Sequence, residues 1–277
     1  MLSEGAIMAK VTSVRQQRRP GRYNIYLDDE YALAVDEKIL IQFDLFKGRQ
    51  LDDTELERVQ EAEYEQKAYT KALLYATGQM RSQQQVIRKL RDQDFPLAVI
   101  KRVIERLSAA NVLDDQLFAE TYVRGLQRSH KLGPLAAKQK LREWGVDNDI
   151  ITDVLTDYSA DDERTQLEDK VATLMAKQSR NAHRMAIQKV SQKLRQQGYH
   201  PQLIQEALQD YEANHEADPE NEWENLDRDG RRAFDRYARY DGYEFTRRVK
   251  GALARKGYQF DEIDRWLRTQ AATLRDL

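Results

Sequence analysis

No cysteine occurs among the 277 residues, so neither a disulfide framework nor thiol chemistry is available to this chain. Apolar runs are short: nothing approaches the roughly eighteen consecutive apolar residues of a membrane-spanning helix. The opening segment Met1 to Met8 is too short for a secretory signal and carries Glu4. These absences lead to the expectation of a cytoplasmic protein with no membrane partner, beginning at either Met1 or Met8. The four histidines, His130, His183, His200 and His215, show neither H-x-x-x-H nor H-E-x-x-H spacing, which argues against a metal site. There is also no Walker sequence, no G-x-G-x-x-G after a strand and no G-x-S-x-G elbow. The expectation is therefore no enzyme, no catalytic residue, no metal and no cofactor. Charged residues make up 33% and mean hydropathy is −0.82, so several small cores fit better than one large one.

What the chain does contain is one pattern repeated four times. It reads Leu90, Phe95, Ile100, Ile104; then Leu141, Val146, Ile151, Leu155; then Leu194, Tyr199, Ile204, Leu208; then Leu253, Tyr258, Ile263, Leu267. Four residues after each leucine stands Asp94, Gly145, Gly198 or Gly257. Glycine just past a helix end takes the left-handed conformation that closes a Schellman cap. The leucine and the following aromatic or valine then occupy the two positions that make the cap's apolar contact. The last two residues of each set fall one turn apart on the inner face of the next helix. The leucines are 51, 53 and 59 residues apart, which leaves room for a third helix in each unit. Tyr69 to Gln79, Gln116 to Arg128, Thr165 to Gln178 and Gly230 to Tyr240 supply it, with apolar residues at helical spacing. Ser82 with Gln85 forms a capping box. Asp114-Asp115 reads as a helix N-cap rather than a metal-binding carboxylate pair. Pro96, Pro134 and Pro201 sit near helix starts, where a missing N–H costs nothing.

Lys10 to Gln17 and Tyr23 to Val35 instead alternate β-formers around turns at Pro20-Gly21 and Asp28-Asp29-Glu30. They predict a three-stranded sheet followed by a short helix from Asp36 to Phe43. The fold expected is mainly α: tandem three-helix repeats forming an elongated array, with a small N-terminal β-rich region. The boundaries expected are a β-rich region at 1–50, an acidic connecting helix at 51–66, and repeats at 67–112, 113–160 and 161–215. An acidic linker at 216–229 and a fourth repeat at 230–277 complete the chain.

Net charge is only −2 but is segregated. Residues 67–142 hold fifteen bases against six acids, residues 143–230 nine against twenty, and residues 231–277 twelve against seven. In the first basic block Arg81, Arg88, Lys89, Arg91, Lys101, Arg102 and Arg106 precede Arg124, Arg128, Lys131, Lys138, Lys140 and Arg142. A second cluster, Arg231, Arg232, Arg236, Arg239, Arg247 and Arg248, is interleaved with Tyr237, Tyr240 and Tyr243. Solvated helix faces are the ordinary reason for such runs, and core packing with snorkelling arginines is the ordinary reason for the tyrosines. As a cluster the first block points to an acidic or nucleic-acid surface. The second is compatible with stacking on bases or with a protein contact. Lys10, Arg15, Arg18, Arg19 and Arg22 form a third patch, which equally suits a charge-defended edge strand.

Several segments resemble one family, the RecX regulators of the RecA recombinase. They are Arg81 to Val86 with Leu90, Val112-Leu113-Asp114-Asp115 with Phe118-Ala119, and Gly133-Pro134 followed by Leu141 and Gly145. The resemblance is clearest over residues 67 to 160. Gln85 stands where the family usually has glutamate, and Asp94 stands where the other three repeats have glycine. The resemblance implies a non-enzymatic modulator that lies in the groove of the RecA–single-stranded DNA filament, and a monomer is expected. It implies inhibition of that filament's ATPase, strand-exchange and co-protease activities, and thereby a place in DNA repair, homologous recombination and the SOS response. The binding residues expected for RecA or for single- or double-stranded DNA are Arg81, Arg88, Lys89, Lys101, Arg102, Arg124, Arg128, Lys131, Lys138, Lys140 and Arg142 of the first cluster and Arg231, Arg232, Arg236 and Arg239 of the second. The alternative is a DNA-binding protein acting without RecA.

Overall fold

The structure, a computed structural model, describes residues 8–156, 158–215 and 218–275, with side chains as far as Thr269. Two compact units divide the chain: Met1–Ala119 with Arg142–Ile150, and Glu120–Leu141 with Ile151–Leu277.

The first unit opens with a sheet. Strands β1 (Ala9–Gln16), β2 (Arg22–Leu27) and β3 (Glu30–Asp36) form an antiparallel meander. The turn between β2 and β3 places Asp28 and Asp29 at φ 49° and 70°, the two positive values of a two-residue hairpin turn that follows strand twist. A fourth strand, β4 (Gln50–Leu51), pairs with β1 and gives the order β3-β2-β1-β4. The expected three-stranded sheet is thus four-stranded, because two residues are too short to show alternation. Asp36 caps the short helix α1 (Glu37–Gln42) by accepting from the Lys38 N–H at 3.1 Å.

Helix α2 (Asp53–Gly78) follows, capped by a reciprocal Asp52–Glu55 box. The sequence suggests a connecting helix and then a separate first helix of the repeat, but the structure runs them together over 26 residues. No glycine or proline interrupts 53–77, so nothing in the backbone breaks the ladder. The helix serves two cores. Val59, with Leu56 and Ala62, packs under the sheet against Ile25, Val35, Leu40 and Leu45. Further along, Ala68, Tyr69, Ala72 and Ala76 pack with helices α3 (Gln83–Arg91) and α4 (Leu97–Ala109) around Val86, Leu90, Ile100 and Val103.

Three further trios complete the chain. They are α5 (Asp115–Ser129), α6 (Pro134–Glu143) and α7 (Asn148–Thr156); α8 (Ala160–Ala176), α9 (His183–Gln196) and α10 (Pro201–Asn214); and α11 (Pro219–Tyr237), α12 (Gly242–Arg255) and α13 (Phe260–Arg275). The division between the two units passes through α5, α6 and α7. In the second unit, α8 to α10 share a core centred on Leu167, Val171, Leu194, Tyr199 and Ile204, and α11 to α13 another on Val249, Leu253, Tyr258, Ile263 and Trp266. The stretch expected to be an acidic linker is helical from Pro219 onward and buries Asn225, Leu226 and Asp229; residues 216 and 217 lie outside the described residues. Asp218 caps it by accepting from the Glu220 and Asn221 N–H groups. Acids crowded into a first turn complement the helix dipole, and that crowding is what resembles a linker in composition.

The caps have the expected geometry. Asp94, Gly145, Gly198 and Gly257 all have positive φ, at 61°, 76°, 80° and 99°. Phe95, Tyr199 and Tyr258 donate their N–H groups back to Leu90, Leu194 and Leu253 at 3.2–3.4 Å. A second constraint emerges at the glycines. A Cβ on Gly145 would strike Gln84 near the start of α3. One on Gly198 would strike the Ala136 backbone near the start of α6, and one on Gly257 would lie 3.0 Å from Met185 N near the start of α9. Each cap therefore seats against the start of the middle helix in the preceding trio.

Half-buried acids complete two of these joints. Asp115 accepts from the Gln83 N–H at 2.8 Å and Glu222 from the His183 N–H at 3.0 Å, each at the first position of a middle helix. Asp114, beside it, accepts from Leu117 N–H at 2.9 Å, so the Asp114-Asp115 pair divides between capping its own helix and its neighbour's. Burial raises both the Asp115 and the Glu222 carboxyls above the ordinary range, more than the hydrogen bonds lower them.

Two outcomes are expected. Gly198→Ala should destabilise the second unit by about 1–3 kcal/mol of backbone strain plus the displacement of Ala136, read as faster hydrogen exchange of the Gly133 and Leu135 amides, which donate to Gln197 and Gly198 carbonyls. Glu222→Gln keeps an oxygen acceptor for His183 and removes a charge whose folded-state proton affinity is raised. A raised carboxyl destabilises once pH passes above its unfolded value. The variant should therefore match or exceed the parent in urea midpoint at pH 7.5, and lose that margin as the pH falls below the carboxylate range.

Candidate functional site

The surface cations sort by whether the fold already uses them. On α3 the residues Arg88, Lys89 and Arg91 occupy the last turn, where a cation complements the helix C-terminus. Arg88, Lys89 and Arg91 are exposed, as is Lys101 on α4. Among the described residues none of Arg88, Lys89 or Lys101 pairs with a carboxylate. Others in the same block are engaged. Arg102 pairs with Glu65 at 2.6 Å. Arg106 lies 3.9 Å over the Tyr69 ring and donates to Gln66. Arg81 folds over Tyr75 at 4.6 Å. Arg142 donates to Asn148 at 3.1 Å. Four of the expected contact or cluster residues thus have structural partners that their spacing in sequence conceals.

In the second unit, Arg124 and Arg128 are exposed on α5, Lys131 on the turn that follows it, and Lys140 on α6, while Lys138 is half-buried. Among the described residues Arg124, Arg128, Lys131 and Lys138 make no ion pair, whereas Lys140 has an interaction partner.

The C-terminal arginine–tyrosine cluster is largely satisfied within itself. Tyr240 has Arg248 at 4.2 Å and Arg239 at 4.9 Å over its ring, and Arg236 lies 5.7 Å over Tyr237. Arg231 pairs with Asp227 at 2.8 Å, and Arg247 and Arg248 both pair with Glu244. Those pairs hold the Asp227 and Glu244 carboxyls below the ordinary range, against the opposing effect of burial. Tyr243, at 82% exposure, is the aromatic of the cluster left open to solvent. The N-terminal patch divides similarly: Arg22 pairs with Glu63 and Arg15 covers Tyr26, while Arg18 and Arg19 are exposed at the hairpin tip.

Among the described residues no group of three or more His, Cys, Asp or Glu side chains is placed to hold a metal, and no helix is long and apolar enough to cross a membrane. The buried polar cluster around Glu163, which accepts from both the His200 N–H and its ring at 2.7 Å, opens α10 and is closed off by Tyr158 and Tyr199 on Gln166. Burial raises the Tyr158 hydroxyl to about 12.

With this arrangement in hand, similarity to known proteins becomes specific. The regulatory protein RecX N-terminal domain model matches residues 9–52, and the RecX first, second and third three-helix domain models match 68–107, 114–155 and 220–267. Regulatory protein RecX of Limosilactobacillus reuteri is 34% identical over 264 residues, covering 95% of this chain and 99% of its own. The chain belongs to the RecX family. Regulatory protein RecX of Bacillus subtilis is 33% identical over 92% of this chain and 96% of its own. A crystal structure of regulatory protein RecX superposes with TM-score 0.61 and 32% identity over 71% of this chain and 97% of that one. A RecX structure from Lactobacillus salivarius gives TM-score 0.50 and 28% identity over 54% of this chain and 97% of that one. RecX proteins are named as regulators. The third trio, α8 to α10, lies between the second and third three-helix matches.

Sequence reading missed the joint acid Glu222 and the acid Glu163, which holds the start of α10 within its own trio, although each stands in the first turn of its trio's first helix, as Asp115 does. It also missed the ion pair Asp227–Arg231, whose i,i+4 spacing is a direct signal.

Arg88 and Lys89 contribute dipole complementarity to α3, roughly 0.3–1 kcal/mol each, and Lys89 adds a long contact, 5.9 Å over the Tyr75 ring. The double variant Arg88→Glu with Lys89→Glu should therefore keep the helical circular dichroism and lower the thermal midpoint by only a few degrees. That result lets any loss of binding be read as a lost contact.

Proposed function

We propose that this RecX family chain binds the RecA–single-stranded DNA filament as a cytoplasmic monomer and restrains its ATPase, strand-exchange and co-protease activities. It does so without cofactor, metal or catalytic residue of its own, and its setting is homologous recombination, DNA repair and the SOS response. The observation that carries the reading is a family match from sheet to last trio, combined with cations the fold leaves unpaired. Arg88, Lys89, Lys101, Arg124, Arg128, Lys131 and Lys138 make no ion pair among the described residues. Charges left free in a block of fifteen bases against six acids suit a partner that supplies its own negative groups, as DNA phosphates and acidic protein surfaces do.

The test is RecA-dependent ATP hydrolysis on single-stranded DNA with and without the protein. Restraint of the rate is expected; an unchanged rate together with unchanged filament length sinks the reading. The same unpaired cations favour one rival, DNA binding without RecA. That rival predicts an affinity for naked single strands whose logarithm falls with log salt by about 0.7 for each phosphate contacted. Reversing Arg88, Lys89 and Arg128 to Glu should abolish restraint of RecA under the first reading, while under the rival it abolishes naked-DNA binding in the absence of RecA.

A further inference from the structure

A second feature, in the last trio, has the geometry of a seat for one anionic group. Three side chains on one face of α11 hold the loop that leads from α8 into α9. Asn221 and Asn225 donate to the Ser179 carbonyl at 3.1 and 2.8 Å, and Arg228 Nη2 donates to the Arg180 carbonyl at 2.6 Å. The spacing i, i+4, i+7 places the three on one stripe of the helix. So fixed, Arg180 and Asn181 face Arg228, Asp229 and Arg232 of α11 and Lys256 at the end of α12. The six residues line a cavity of about 500 Å³.

Four cations share this cavity with one carboxylate. Asp229, buried, takes Lys256 Nζ at 2.7 Å and the Tyr258 hydroxyl at 3.1 Å. Arg228 Nε and Arg232 Nη1 are each 3.8 Å from the same carboxylate. Arg180 pairs with no carboxylate among the described residues. Asp229 balances one of the four charges. The loop is pinned by hydrogen bonds, so Arg180 is kept beside the others. Guanidinium forks arriving from two elements, with an ammonium from a third, match the several acceptor oxygens of a phosphate group.

We infer that this cavity seats a phosphate group. Arg180, Arg232 and Lys256 contact its oxygens, while Arg228 stands behind them, fixed by Asn225 Oδ1 at 2.7 Å and by the loop carbonyl. The identity of the phosphate rests on the filament reading above, under which it belongs to the nucleic-acid backbone. A free phosphate or pyrophosphate offers the same chemistry, and the experiment separates the two.

The full chain and the double variant Arg180→Gln with Arg232→Gln are titrated by anisotropy against labelled oligo(dT) of about 20 nucleotides over a salt series. They are titrated against pyrophosphate by calorimetry in parallel. Arg184→Gln with Arg195→Gln removes the same charge from the groove between α9 and α10 and serves as control. The first variant should weaken oligo(dT) binding by about tenfold and flatten the salt slope by about 1.4, two contacts at roughly 0.7 each. The control should move both far less. If pyrophosphate binding alone depends on Arg180 and Arg232, the seat takes a free phosphate. If neither probe separates the variant from the unsubstituted chain, or the control loses as much, the inference is overturned. The RecA-dependent ATPase of the same proteins separates the two readings. Restraint with both probes indifferent to the variant sinks the seat alone. No restraint, with phosphate binding that depends on Arg180 and Arg232, sinks the filament reading alone.

Discussion

Each joint between successive trios turns on a residue that must satisfy two demands at once. Closing the middle helix requires positive φ, and seating that closure on the preceding trio leaves no room for a Cβ at Gly145 and Gly198 and only a tight fit at Gly257. Gly198 shows both: φ of 80° and an imagined Cβ driven into the Ala136 backbone. Only glycine meets the pair of conditions. Where one demand disappears, the restriction relaxes. Asp94 closes the first cap at φ 61°, its side chain is exposed, and no earlier trio stands before it. Aspartate tolerates that backbone conformation better than most residues. The single departure from glycine in the repeat is thus a consequence of being first, and the sequence pattern records the packing rather than merely accompanying it.

The same joints explain much of the charge segregation. Acids concentrate at helix starts: Asp161, Asp162 and Glu163 open α8, and Glu220 and Glu222 open α11. Bases concentrate at helix ends, as with Arg88, Lys89 and Arg91 on α3 and Lys193 and Arg195 on α9. Both placements answer the helix macrodipole. Part of the block charge is therefore architecture. What remains after the dipole, the ion pairs and the cation–ring stacks are removed is a smaller set, and that set is where contact with another molecule has to be sought.

The repeat was legible because its signals are local. Offsets of a few residues fix a cap, and Leu194 with Tyr199 can be recognised without knowing what they pack on. Tertiary signals were not legible in the same way. Arg102 and Glu65 are separated by 37 residues, and nothing near either announces the pair. The two-residue strand β4 exists only because β1 lies beside it. The acidic run before Gly230 illustrates a different failure: composition resembled a linker, while the Asp218-Pro219 start and the first-turn acids already spelled a helix. Among the contact residues, charge alone gave the list, but the fold decided which charges are spare. Arg180, Arg228 and Lys256 come from three elements and converge only once α11 has pinned the intervening loop.

The polar half of the joint varies while the glycine does not, and that contrast bears on how far family resemblance reaches. Between α3 and the second trio the N–H at the helix start goes to Asp115, and between α9 and the last trio it goes to Glu222. At α6 the first position is Pro134, which has no N–H to satisfy. There the next donor, Leu135, goes directly to the Gly198 carbonyl at 3.0 Å, and the Gly133 N–H to Gln197 at 2.8 Å. Three joints of one shape use three different acceptors, so side-chain chemistry can drift at a joint without altering it. Motif positions that match across relatives are those that build the joint, and they carry the architecture from one protein to another. Contact residues are under no such geometric demand. They are found by asking, chain by chain, which charges the architecture has left without an internal partner.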